Sequence, residues 1–541
     1  MASNILSIGQ SALAAAQVGI SVTGHNIANA STPGYSRQQI VQTAAQAQDF
    51  GFGYLGQGTL VSSVTRVYNE LLTKQLNNAQ SSSQATNAYA THMTQIDNML
   101  SDPAAGLSPS IQNFFASVQA LSSNPGDVAS RQAMLSTAEG LATRFHSLDN
   151  RLNEMRGSVN SELATSATQV TSYAAKIAQL NDVISKAIGA NSNNPPNDLL
   201  DQRDQIISEL SKLVKTDVYS QSDGSYNLSI GNGIPLVVGN KSYGLTTVNS
   251  PEDSGRLEIA YVTNIIKPLG ESSLPGGKIG GLLQFRSDAL DTIQNQLGQI
   301  STVIAQTFND QHQAGFDANG VAGGKFFNVP TPDVFGGTSN SVGATLNATI
   351  SNAAALTSSD YRVNYDGTNY NITRVSDNTM QTFASLPQTL DGVTFNGTMA
   401  AGDSFLVEPT RNGASKLSVA ITSTSKIAAS DATGGTGNNR NALLLAALQS
   451  KGTLNNSTTS YENAFGQLVS FVGIKTNELK VNAAAEDALV AQTTAAQQSE
   501  SGVNLDEEAT NLIRYQQAYQ AAGKVMQIAS NLFDTLLALG H

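Results

Sequence analysis

The chain has 541 residues, with 29 Lys plus Arg against 41 Asp plus Glu, a formal net charge of −12 and only 13% charged residues. The acidic balance argues against nucleic acid as the main partner, since phosphate binding needs clustered basic side chains, and so small a charged share is not that of a highly charged disordered chain. The absence of Cys excludes disulfides and thiolate metal sites, and the length allows about three or four domains.

The N-terminal run MASNILSIGQSALAAAQVGI is uncharged; Arg37 is the first basic residue and Asp49 the first acid. A secretory signal needs a positive n-region, so no ordinary cleaved signal is expected. No unbroken apolar run of about 18 residues suggests a membrane span. Leu6, Leu13, Ile20 and Ile27 recur every seven residues and predict one apolar stripe on a helix. Gly9, Ala12, Ala16 and Gly19 would let another backbone come close. Thr32-Pro33-Gly34 then ends the helix, because the residue before Pro leaves the α region and Gly permits a tight turn.

GFGYLG, with Gly51, Gly53 and Gly56, matches a dinucleotide fingerprint in spelling only. That motif works between a strand and a helix, whereas TLVSSVTRV follows here and alternates like a strand. Helical patterns are predicted at about 66–100, 127–190, 198–215, 281–314 and 460–500. In NDLLDQRDQIISELSKLVK, Asp198, Asp201 and Asp204 come early and Lys212 and Lys215 late, as the helix dipole favours; the carboxylates read as a solvated first turn. Residues 216–275 and 326–430 change to alternating runs joined by Asp-Gly and Gly-Asn turns, hence hairpins. FDANGVAGG, with Asp317 and Asn319, reads as a helix-terminating turn lacking the further oxygen donors of a calcium loop. DATGGTGNN at 431–439 reads as a linker back into helix.

The C-terminal stretch repeats the device of the N-terminus. Leu505, Leu512, Tyr519, Met526 and Phe533 are spaced by seven, and Tyr515, Ala522, Ala529 and Leu536 supply a second seam position. Asn504 is placed as the N-cap, with Asp506 to Glu508 at the positive helix end. Helices of about 40 Å and 50 Å would result at the two ends. Ordering each backbone residue costs roughly 1–2 kcal/mol, which the seam side chains of one chain barely offset. Both ends are therefore expected to become helical when packed among many copies or partners.

Catalytic machinery is absent from the pattern. His25, His92, His146, His312 and His541 show no HExxH or other ligand spacing, there is no GxSxG and no Cys, and no carboxylate pair stands out. No enzyme activity, cofactor or metal is expected. The fold expected is mainly α with inserted β: terminal coiled-coil helices, a long helical bundle domain and an inserted β-rich domain. Residues 1–60 plus 500–541 would form the terminal domain, 61–325 plus 432–499 the bundle with hairpins near 216–275, and 326–431 the β-rich outer domain.

HNIANASTPGYSRQ at 25–38 resembles the N-terminal motif of bacterial flagellar rod, hook and hook-associated proteins, and VNLDEEATNLIRYQQAYQAAGKVMQIASNLFDTLLAL resembles their C-terminal motif. With NDLLDQRD at 197–204, GDSFLVEP at 402–409 and the length, the chain is similar to the hook-associated protein 1 (FlgK) family. The resemblance implies a ring of self-copies at the hook–filament junction, between hook protein and hook-associated protein 3. It also implies type III export as an unfolded chain, with the cytoplasmic chaperone FlgN held on the C-terminal helix, a final location in the extracellular flagellum, and neither nucleic acid binding nor membrane insertion. The assembly and chaperone interface would then be Leu6, Leu13, Ile20, Ile27, Leu505, Leu512, Tyr515, Tyr519, Met526 and Phe533, with Pro33 and Gly34 as the turn after the first helix. The alternatives are another axial protein such as the hook protein, a surface adhesin using the β-rich module, and a secreted hydrolase.

Overall fold

A computed structural model describes residues 2–539 apart from 50, 103–105, 192–193, 254, 434 and 436; for residues 2, 3, 536, 537 and 539 it describes the backbone alone. The side chain of Leu536, together with His541, Gly434 and Thr436, lies outside the described residues.

The first helix, α1 (Ala2–Ala28), leads into a hairpin of β1 (Gln38–Ala44) and β4 (Thr59–Arg66), whose tip is the short pair β2 (Gln48–Asp49) and β3 (Tyr54–Leu55). The glycine turn GFGYLG caps this hairpin, and TLVSSVTRV is indeed strand. A long bundle follows. It comprises α2 (Glu70–Leu100), α3 (Leu107–Ser123), α4 (Val128–Ala190), α5 (Asn197–Leu213), α6 (Gly277–Gln284), a π-helical turn (Phe285–Leu290), α7 (Asp291–Gln313), and later α9 (Arg440–Ala447) and α10 (Tyr461–Ser501), with a single helical turn α8 (Gly413–Lys416) between. The caps explain where the long helices start. Asn69 accepts from Leu72 N–H, Asp127 from Ser130 N–H and Ser460 from Asn463 N–H, each satisfying a donor left unpaired in the first helical turn. At 63 residues α4 is about 95 Å long and forms the spine of the bundle. The sequence reading passed over α3, although Ile111, Phe114, Phe115, Val118 and Leu121 have helical spacing and are all buried.

The strand-rich regions fall where alternation placed them. A four-stranded antiparallel sheet (Thr216–Ser220, Tyr226–Ile230, Ile234–Val238, Lys241–Ser242) and a three-stranded one (Gly244–Asn249, Leu257–Val262, Ile266–Pro268) lie along α4. The inserted β-rich region holds a five-stranded sheet in the order Asp333–Gly336, Ser404–Glu408, Tyr361–Tyr365, Tyr370–Arg374, Met380–Phe383, and a three-stranded sheet of Thr345–Ile350, Val393–Thr398 and Gln388–Leu390. At its base Phe308, Phe326 and Phe327 pack edge-to-face or tilted, with ring centroids 4.8–5.6 Å apart. FDANGVAGG is the turn after α7, where Asp317 Oδ1 accepts from Asn319 and Val321 N–H. His312 beside it is fully buried, Nδ1 on Gly324 O at 2.8 Å and Nε2 accepting from Ala428 N–H at 2.9 Å. Burial lowers its pKa, and both ring nitrogens serve the backbone.

Between insert and bundle the charges are buried together. Arg156 of α4, Arg256, Arg286 and Arg411 meet Asp253, Glu271, Asp291, Asp360 and Glu408: Arg156–Asp291 at 2.6 Å, Arg256–Asp291 at 2.9 Å, Arg411–Glu408 at 2.6 Å, and an Arg411–Asp360 pair. Burial pushes the Glu408 carboxyl up to about 8, Arg411 opposing the shift and Asp360 and Asp253 adding to it. Asp291, facing Arg411, Arg156 and Arg256, is held below the carboxylate range despite its burial.

Candidate assembly interface

The chain ends meet. α11 (Leu505–Leu539) runs antiparallel to α1, so that Met526 faces Gly9 and Tyr515 faces Gly19. The two helices reach this spacing because α1 turns its small residues inward. Gly9, Ala15, Ala16, Gly19, Thr23 and Asn26 are its buried positions, and Glu508, Ala522 and Ala529 are those of α11 among the described residues. A Cβ on Gly19 would stand 2.6 Å from the Tyr515 ring, and one on Gly9 3.0 Å from Met526 Sδ. Glycine there gives the large seam residues of α11 the room that any side chain would take away. Asn504 caps α11 as its sequence suggested, accepting from Asp506 N–H at 2.9 Å.

The ten residues singled out by spacing take a different place. Leu6 and Ile27 are exposed, Leu13 and Ile20 half-buried; Leu505, Tyr519 and Phe533 are exposed, Leu512, Tyr515 and Met526 half-buried. Tyr515 and Met526 join the helix pair, but against glycines and not against the leucine stripe. That stripe lies about 60–120° round α1 from the seam, by the 100° step between helical residues, and so forms an open apolar flank of the rod. Ile513, Val525, Ile528 and Leu532 extend the exposure along α11. By length and composition Asn4–Ala28 would also pass as a membrane span, although polar residues interrupt its apolar run; its freedom from charge serves equally a helix that must pack among neighbours without burying unpaired ions.

Below the rod, the motif at 25–38 folds into a polar clasp. Buried Asn26 donates to Gln38 O at 2.9 Å, and its Oδ1 accepts from Gln38 N–H at 2.9 Å and Tyr35 O–H at 2.7 Å. Asn29 Nδ2 closes the helix end on His25 O, 3.0 Å away. Pro33 and Gly34 lie in the exposed turn that follows. Gly34 has φ +77°, a backbone conformation that favours glycine, and a Cβ there would make the Gln205 side chain swing aside from 2.6 Å. Arg37 then ties the two ends together: its N–H donates to Ser501 O at 2.8 Å and its guanidinium pairs with Glu507.

Two of the three carboxylates of NDLLDQRD are withdrawn from water, against the solvated turn expected from sequence. Asp201 is buried and Asp204 nearly so under the β1–β4 hairpin, where Ser36 N–H donates to Asp201 Oδ2 at 2.9 Å. Arg66 bridges Asp201 and Asp204, at 2.7 Å each. Asp198 stays exposed and receives Gln38 Nε2 at 2.8 Å. Arg203 points the other way, to Asn181 and Gly224 O, with its guanidinium 3.4 Å above the Tyr226 ring. Helical spacing places carboxylates near the start of a helix equally well in water or under a hairpin; the strand that arrives overhead carrying Arg66 makes the difference. Burial pushes the Asp204 carboxyl up against the pull of Arg66 and Arg203. Arg66 is held protonated by Asp204 and Asp201, which outweigh its own burial. No group of three or more potential ligand side chains is placed to hold a metal among the described residues.

The two stretches that carried the resemblance thus form one structure, a helix pair rooted in a clasp. The flagellar hook-associated protein 1 of Escherichia coli K12 is 40% identical to this chain over 99% of both. The chain belongs to the flagellar hook-associated protein 1 family. The Salmonella typhimurium relative of the same name is 39% identical over 99% of both chains, and that of Bacillus subtilis 26% identical over 97% of this chain and 96% of the other. Family profiles divide the sequence in keeping with this: the hook-associated protein FlgK helical domain matches 93–327, the hook-associated protein 1 D2-like domain 335–409, the basal body rod protein 6–35 and the basal body rod FlgEFG C-terminal 497–539. The solved flagellar hook junction protein FlgK of Burkholderia pseudomallei superimposes with a TM-score of 0.74 at 31% identity, over 79% of this chain and all of that one. Hook-associated protein 1 family membership therefore rests on the whole length, with both rod-type profiles falling on the terminal helix pair.

Proposed function

We propose that the chain is a structural subunit of the bacterial flagellum, located outside the cell at the hook–filament junction, and that it polymerises through its terminal helices. One observation carries the reading: α1 and α11 pair through small residues and leave their large apolar ones, Leu6, Ile27, Leu505, Tyr519 and Phe533, on an open flank. A surface of that kind marks a protein–protein contact. Leu512, Tyr515 and Met526 support the rod from within, Leu13 and Ile20 lie half-buried along that flank, and Pro33 and Gly34 aim the rod at the bundle. The terminal rod, the bundle and the β-rich outer region correspond to three working parts, the innermost of which packs against copies of itself, with hook protein on one side and hook-associated protein 3 on the other.

The same C-terminal flank suits an earlier partner. A chain exported unfolded through the flagellar type III pathway exposes this apolar helix in the cytoplasm, where a groove-type chaperone such as FlgN would cover it. No catalytic role is part of the reading. Labelled antibody against the chain on isolated flagella tests it: label confined to the hook–filament boundary is expected, and label elsewhere or nowhere overturns it. A strain lacking the chain should shed flagellin into the medium and bear hooks without filaments.

A further inference from the structure

Residues 46–56 form the tip of the β1–β4 hairpin, and each of those described is exposed. Phe52 and Tyr54 are both 76% exposed, with Leu55 beside them, and the tip carries one charge, Asp49. A two-stranded ribbon on its own is marginal in water, and exposed aromatic side chains are what interfaces use as anchors. The hairpin starts where Gln38 meets Asn26 and passes Ser11, to whose Oγ Thr59 N–H donates at 3.3 Å. It therefore runs toward the N-terminal end of α1, and the strands beyond Thr59 reach up to about 20 Å further.

A complementary surface lies elsewhere on the same chain. On the side of α1 away from the seam, a groove of about 910 Å³ is walled by Ala14, Val18 and Val22, by Pro195 and Pro196 of the loop before α5 and by Leu199 of α5, with Gln17, Ser21 and Asn194 supplying neutral polar groups. Its ionisable groups, His25 and Asp198, face each other at 3.4 Å, so the groove asks for a nearly uncharged occupant with flat apolar faces. The hairpin tip has that character, and its own chain carries it away from the groove. We infer that the hairpin tip of one copy seats Tyr54 and its neighbours in the α1–proline-loop groove of a second copy. Knob and socket on different parts of one subunit make a heterologous contact, the kind that builds rings and helices of identical copies. The groove also shares α1 with the helix pair, so the contact continues the rod interface. The inference rests on the proposal that the chain assembles as a ring in the flagellum.

The lack of Cys makes a clean test possible. Tyr54→Cys and Val18→Cys are placed together in the full chain, intact flagella are purified and treated with a short bis-maleimide, and products are sized and identified by mass. Dimers and longer ladders of this chain are expected from the double variant and not from either single one. Normal amounts of the chain in flagella without such ladders, or a cross-link to a different protein, overturns the inference; absence of the chain from flagella overturns the ring reading on which it rests. As a second measurement, Phe52→Ser with Tyr54→Ser should reduce filament-bearing cells by about tenfold or more, as loss of an aromatic anchor implies. The urea midpoint of the purified protein should not move, because the tip is exposed; a shifted midpoint, or unchanged filament numbers, counts against the contact.

Discussion

Replacing Arg66 by Met tests whether the clasp is held by charge. Arg66 has a side chain only 8% exposed and lies 2.7 Å from both Asp201, 7% exposed, and Asp204, 13% exposed. Met keeps much of the volume but leaves two carboxylates without their cation. Removing one partner of a buried pair costs about 3–5 kcal/mol. Asp201 retains the Ser36 N–H, so most of the loss falls on Asp204, whose carboxyl burial already pushes up. The sign of the pH dependence follows. A carboxyl with its folded pKa raised favours the fold while protonated, and that contribution is lost as pH rises through the folded value. The deficit of the variant should therefore be smaller at about pH 4.5 than at about pH 7.5. Urea unfolding at the two pH values measures this, and adding Asp204→Asn should restore part of the stability at the higher one. A cost under about 1 kcal/mol at the higher pH, or an equal cost at both, would refute the charge argument and leave Arg66 as packing.

Gly19→Ala and Gly24→Ala separate the seam from the rest of α1. Both gain about 1 kcal/mol of helix propensity, but the new Cβ at 19 meets the Tyr515 ring at 2.6 Å whereas that at 24 meets nothing within 4 Å. Motility should survive Gly24→Ala and fall with Gly19→Ala; equal effects on swarm diameter would remove the case for a small-residue seam. Glu408, pushed up to about 8, contributes stability that is present below its ordinary value of 4.5 and fades as pH rises through 8. Glu408→Gln should flatten that loss, about 1.4 kcal/mol per pH unit at most, in thermal melts between about pH 5 and 9. Finally, the rod holds to the body mainly at its root, and few residues of α11 are buried. Limited proteolysis of the purified chain should cut first within α1 and α11, and the same bonds should resist in intact flagella. Ends as resistant as α4 in the isolated chain would sink the expectation that assembly completes them.

Much of the architecture was legible because it rests on local rules. Uninterrupted helical spacing, polar caps and Asp-Gly or Gly-Asn turns specified the long helices and the two hairpin regions whatever packed on them. α3 falls outside those patterns although its Ile111, Phe114, Phe115, Val118 and Leu121 carry the period; it is a short helix whose ends lie within a few residues of α2 and α4. Leu6, Leu13, Ile20 and Ile27 drew attention because large apolar residues outweigh small ones in any pattern of hydrophobicity. The seam follows Gly9, Ala16 and Gly19 instead, because two backbones that approach closely must do so where side chains are absent.

The linear order of residues was enough to show two helical ends, the first of them without charge, a helical middle and a β-rich insert, since each depends on neighbours within a few turns. It could not show that Asp201 and Asp204 lie buried under Arg66, that Arg37 joins residues 501 and 507, or which flank of α1 stays open. Those facts depend on which surfaces meet after hundreds of intervening residues are folded. A carboxylate has the same spelling in water and beneath a strand, and the energetic difference between the two comes from the cation that the fold brings to it.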